Sequence, residues 1–186
     1  MQNILIQERR HRWESFYDGD PKLPWLFFAA VQPETPRPPL WPEKKKERIE
    51  WIVRDYERRM KLTEQIDDDA LPFADFITGT EIFAEAFGSP VQREEGQMPY
   101  ALPAVEDAAA AAGVRLPDLD DSTLMLQFEI AEEVFRRLGS AVLYKPPDIQ
   151  SPMDVAALIW KKEDFFPAML DAGDSVKALA EKARVL

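Results

Sequence analysis

"LYKPPDIQSPMDVAALIW", Leu143 to Trp160, changes character three times in eighteen residues. It opens as a short strand, crosses two prolines and a polar loop, and closes as an apolar helix. Ser151, Pro152 and Asp154 stand where a helix start wants them. A serine N-cap, a proline at the first helical position and an acid at the third satisfy free backbone donors and complement the helix dipole. Asp148 and Gln150 are not used up by that arrangement. They lie past a strand end and before a helix N-terminus, where free backbone donors hold a carboxylate or phosphate of a ligand.

Working outward, "SAVLYKP" and "LPFADFI" (Leu71 to Ile77) read as strands. "PWLFFAAV" (Pro24 to Val31) reads as a third, buried one bounded by prolines. Between them Ile49, Ile52, Val53, Tyr56 and Met60 recur at helical spacing over about 43–64. Asp67-Asp68-Asp69 ends that helix. Thr80 to Phe87 is a short helix stopped by Gly88. Asp120, Asp121 or Ser122 caps a further helix with Leu124, Phe128, Ala131, Phe135 and Leu138 on its expected core face. Helices follow at about 152–160, 163–171 and 175–184, and an amphipathic helix over 3–17 precedes them all. Strands alternating with helices predict an α/β fold with a parallel sheet, and chemistry in the loops after the strand ends.

The 186 residues suit one domain, 1–186. A net charge of -11 argues against a nucleic-acid partner, because phosphate neutralisation needs clustered Lys and Arg. The one basic run, Lys44 to Lys46, is followed by Glu47 and Glu50 and reads as a solvated face. No apolar run is long enough to cross a membrane, so no membrane partner is expected, and the charged N-terminus has no apolar leader segment. The absence of cysteine excludes thiolate metal sites within these residues and fits a cytoplasmic location. His11, the one histidine, sits among arginines in "RRHRW" and reads as a surface residue. Sixteen prolines against seven glycines, clustered at 21–42 and 90–117, predict long ordered loops.

"FITGTEIFAEAFGSPV" (Phe76 to Val91), "MPYALPAV" and the stretch from Leu138 to Ala183 resemble the uroporphyrinogen decarboxylase superfamily over about 43–186. The resemblance implies a (β/α)8 barrel of which this chain covers about the first half. It also implies decarboxylation or methyl transfer on a tetrapyrrole, corrinoid or small methylated substrate. By that likeness Asp75, after an early strand, accepts hydrogen bonds from pyrrole N–H groups and stabilises a cationic intermediate; on the residues alone it could equally cap the turn that follows. Arg37 is what remains of the family's arginine-rich substrate motif, and Tyr144 supports Asp148 and Gln150 in substrate binding. Leu158 stands where the decarboxylases carry a tyrosine. The zinc ligands of the methyltransferases are absent, so the chain holds no cofactor of its own, and zinc enters only with ligands from outside it. A half-barrel leaves strand edges uncovered, which predicts a dimer or a second chain as partner. The alternative function is a non-catalytic truncated barrel that binds or assembles.

Overall fold

The computed structural model describes residues 2–29, 31–94, 97–120 and 122–185. In chain order the elements are α1 (Gln2–Tyr17), a 3-10 turn (Pro42–Lys44), α2 (Lys45–Gln65), β1 (Phe73–Asp75) and α3 (Glu81–Ala86). Then come β2 (Val91–Gln92), β3 (Tyr100–Ala101), α4 (Ala108–Gly113) and α5 (Thr123–Leu138). The chain closes with β4 (Leu143–Lys145), α6 (Pro152–Ile159), α7 (Lys162–Asp171) and α8 (Gly173–Ala183). The result is a mixed helix and strand fold, rich in helix, with few and short strands. No described helix is long and apolar enough to cross a membrane.

Two compact units make up the chain, one formed by residues 1–76 and 130–145, the other by 77–129 and 146–186. In the first, β1 and β4 pair in parallel, with Phe73 opposite Leu143, Ala74 opposite Tyr144 and Asp75 opposite Lys145. A parallel pair needs a crossover, and α2 packs on β1 as a helical layer. Ile49, Trp51 and Ile52 of α2 are buried there, together with Ala74. The second unit is helical. Its α6, α7 and α8 pack together and α4 packs on α8. Val105, Val155, Ile159, Trp160, Phe165, Val176 and Leu179 form its core. A small antiparallel pair, β2 with β3, stands beside α3.

Several expectations hold at the level of single residues. Ser151 caps α6, accepting from the Asp154 N–H at 3.2 Å, while the Asp154 carboxylate accepts from the Ser151 N–H at 3.2 Å. Ser122 Oγ accepts from the Met125 N–H at 3.1 Å and so starts α5; Asp121 lies outside the described residues. Gly88 takes a positive φ of 89° past the end of α3, a backbone state that disfavours any side chain.

Two expectations fail. The segment 24–31 is not a buried strand among its described residues, since Trp25, Phe27 and Phe28 are at least half exposed. Its backbone is tied by carboxylates instead of by a ladder. Asp69 accepts the Phe27 N–H at 2.7 Å, and Asp68 accepts the Ala29 N–H at 3.1 Å. The buried face of α5 is Thr123, Leu126, Gln127, Ile130 and Val134, whereas Phe128 and Phe135 stay exposed. Both sets run at three- and four-residue spacing, so the periodicity was compatible with either face. Phe135 is used on the outer side, where its ring lies 5.5 Å from Tyr144.

Candidate functional site

Asp75 ends β1, the position from which a parallel strand presents side chains to ligands. It is only 7% exposed. Its Oδ2 faces the Arg37 guanidinium at 3.3 Å, so the structure brings these two sequence candidates together. Arg37 comes from the proline-rich loop after the exposed segment. Prolines at 36, 38 and 39 restrict that loop's backbone before any tertiary contact forms.

Two side chains of α2, three residues apart and therefore on one helix face, hold the loop in place. Trp51 donates its indole N–H to the Thr35 carbonyl at 3.0 Å, and Arg48 donates to the Pro38 carbonyl at 2.5 Å. The Arg37 guanidinium also lies over the Trp51 ring, 5.4 Å from its centroid, a cation–π contact. Arg48 itself is 97% buried (3% exposed). Burial, and then the like charge of Arg37, lower its pKa to about 10, and Asp75 offsets part of that fall. It stays charged at neutral pH. Two guanidiniums, those of Arg37 and Arg48, thus act on the Asp75 carboxylate.

Arg48 is the residue that sequence reading missed. It sits just after Lys44-Lys45-Lys46, in a run that reads as a solvated face. The signal was its place one residue before Ile49 and three before Trp51, on the apolar side of the helix.

An open groove of about 510 Å³ adjoins the loop, lined by Thr35, Pro36, Pro38 and Trp51 together with Lys46, Glu47, Glu50 and Arg54. Asp75 and Arg48 do not line it.

The other candidates have distinct settings. Tyr144, on β4 beside Ala74, stacks on Phe76 at 5.9 Å. Its hydroxyl donates to the Gly139 carbonyl at 2.6 Å and braces the turn between α5 and β4. Desolvation raises its pKa. Asp148 and Gln150 belong to the second unit, in the loop before α6, where Asp148 is exposed and Gln150 half-buried. His11 is exposed on α1, with Nδ1 3.8 Å from the Glu14 carboxylate. Among the described residues no group of three or more His, Cys, Asp or Glu is placed to hold a metal ion.

No protein-family model matches the chain, and no match is found among the curated proteins. Among solved structures, the chain is similar to a methyltransferase from Methanosarcina mazei, with a TM-score of 0.57 at 15% sequence identity. The match covers 77% of this chain and 41% of that one, so the chain spans less than half of the protein it resembles. At that identity the likeness is one of fold: this chain has a methyltransferase-like fold over most of its length.

Proposed function

We propose that this chain supplies the anion-recognising part of a methyltransferase-like catalytic unit acting on a tetrapyrrole, corrinoid or small methylated substrate. The observation that carries the reading is the cluster of buried Asp75 and Arg48 with exposed Arg37 at the end of a parallel strand. Arg48 is a buried, desolvated charge, and buried charge of that kind concentrates at functional sites.

The roles follow from exposure and chemistry. Arg37, with its side chain 36% exposed, is free enough to turn and grip a substrate carboxylate or phosphate through two parallel N–H bonds. Arg48 is fixed and supplies a standing positive field. Asp75 accepts an N–H of the substrate and stabilises positive charge that develops on it. Tyr144 orders β4, the strand paired with β1. A decarboxylation would use the same three charges. Methyl transfer fits better with the fold likeness and with Leu158 in place of a phenol. The described residues do not assemble a zinc site, so metal chemistry would need ligands beyond them.

The test is a titration with a polycarboxylate tetrapyrrole, followed by tryptophan fluorescence, since Trp51 underlies Arg37. Loss of tenfold or more in affinity in Arg37→Ala and Asp75→Asn is expected. Equal binding by both variants and the parent would sink the proposal.

A second reading is a binding or assembly partner without turnover of its own. It rests on the aromatic segment Trp25, Phe27 and Phe28, each at least half exposed. It predicts self-association or capture of a second chain, which light scattering of the purified protein detects.

A further inference from the structure

The loop after β1 leads into α3, where Glu81 and Glu85 lie one turn apart on one side of the helix. Glu81 is 6% exposed, and its Oε2 is buried with no hydrogen-bond partner. The carboxylate folds back over Gly79 so closely that a Cβ on that glycine would overlap it. Glu85 also keeps a buried Oε2 without a partner, while its Oε1 is taken by Arg93. Arg93 reaches on to the Thr123 hydroxyl at 3.5 Å. Arg93 is therefore committed to Glu85 and acts on Glu81 only through its field.

The elements packed on α3 are β3 and α6. Their titratable groups are Tyr100, which is exposed, and Asp154, whose carboxylate is held by Ser151. Neither compensates Glu81. The charges that act on it are Glu85, which disfavours its ionisation, and Arg93, which favours it.

We propose that Glu81 is a proton-operated latch on α3: protonated, it stays seated over Gly79, and on losing its proton it loosens α3 from β3 and α6. The physical reason is the cost of an anion whose Oε2 is buried without a hydrogen-bond partner; a bond from its own backbone N–H and the field of Arg93 offset only part of the desolvation. A neutral carboxyl is tolerated in such a seat, whereas the anion beside Glu85 is not. Burial accordingly raises the pKa of Glu81 above its ordinary value. The latch stands at the start of the helix that follows the catalytic-type strand β1, so its release changes the order of that segment as pH rises.

The experiment uses the full chain and two readouts. The first is the carboxyl carbon shift of Glu81 in NMR, followed through a pH titration of the parent. A midpoint above that of an unperturbed glutamate is expected; a midpoint at or below it overturns the proposal. The second is hydrogen exchange at residues 81–86, corrected for the intrinsic effect of pH. Local opening should rise by up to about tenfold per pH unit while Glu81 titrates. Glu81→Gln should remove that dependence and leave α3 closed throughout. Identical pH dependence of α3 exchange in Glu81→Gln and in the parent overturns the latch even if the carboxyl shift is raised.

Discussion

Replacing Asp69 by alanine tests how the segment before the candidate site is held. Asp69 is 1% exposed and stands midway along the α2–β1 connection. Its carboxylate accepts the Phe27 N–H at 2.7 Å and pairs with Arg12 Nε at 2.6 Å. A hydrogen bond to a charged group contributes about 1.5–3 kcal/mol. The Arg12 side chain is 50% exposed, so its pairing is discounted to about 0.2–1 kcal/mol. The sum predicts a loss of about 2–4 kcal/mol for Asp69→Ala. The backbone bonds survive, because the Asp69 N–H still meets the Phe27 carbonyl and Trp13 still donates to the Asp69 carbonyl. Asp67→Ala is the control. Asp67 is exposed, and its removal should stay within about 0.5 kcal/mol. Urea unfolding followed by tryptophan fluorescence reads both, as a lower midpoint at unchanged slope. If Asp69→Ala unfolds at the same urea concentration as Asp67→Ala, the carboxylate does not hold the segment and the reasoning fails.

Three further outcomes are expected. Ser151→Ala removes the capping box of α6 and should cost about 1 kcal/mol, read by the same unfolding assay. Tyr144→Phe keeps the ring stack and loses the bond to Gly139, costing about 1 kcal/mol in that assay. For Glu81 the sign is opposite to that of most carboxylates. Its folded-state pKa is raised above 4.5, so its contribution is fully present below that value and is lost as pH rises through the folded one. Glu81→Gln should therefore raise the thermal midpoint more at neutral pH than at pH 4.

The contrast among three adjacent aspartates explains what the sequence could and could not disclose. Asp67, Asp68 and Asp69 read as a polar run that stops a helix. In the fold Asp67 is solvated, Asp68 pairs with Arg9 at 2.9 Å, and Asp69 is fully buried. Arg9 in turn donates to the Thr63 and Ile66 carbonyls at the end of α2, as a cation should at a helix C-terminus. Such bonds span more than fifty residues, and no local pattern announces them. Local signals did well where the chemistry is local: the Ser151–Asp154 cap, Gly88, and the helical spacing of α2. They failed at Pro24 to Val31, where an apolar run bounded by prolines matched a buried strand, although carboxylates tie its backbone and its rings face solvent.

The candidate site divides differently. Asp75 and Arg37 were named only through the family resemblance, and the fold brings the two side chains together, 3.3 Å apart. Arg48 was not legible, because a buried arginine in a basic run looks the same in sequence as a solvated one. Its place is fixed by the Pro38 carbonyl, ten residues back, which nothing in the helix pattern indicates.

The central claim is that Arg37, Arg48 and Asp75 recognise an anionic substrate. The most direct measurement is an NMR titration of the labelled chain with a tetracarboxylate porphyrin, following the arginine side-chain N–H signals and the Trp51 indole. The account predicts that the signals of Arg37, Arg48 and Trp51 move together and saturate at one stoichiometric equivalent, and that Asp75→Asn weakens the titration by tenfold or more. Shifts confined to exposed lysines, with those three signals unmoved at saturation, would contradict it.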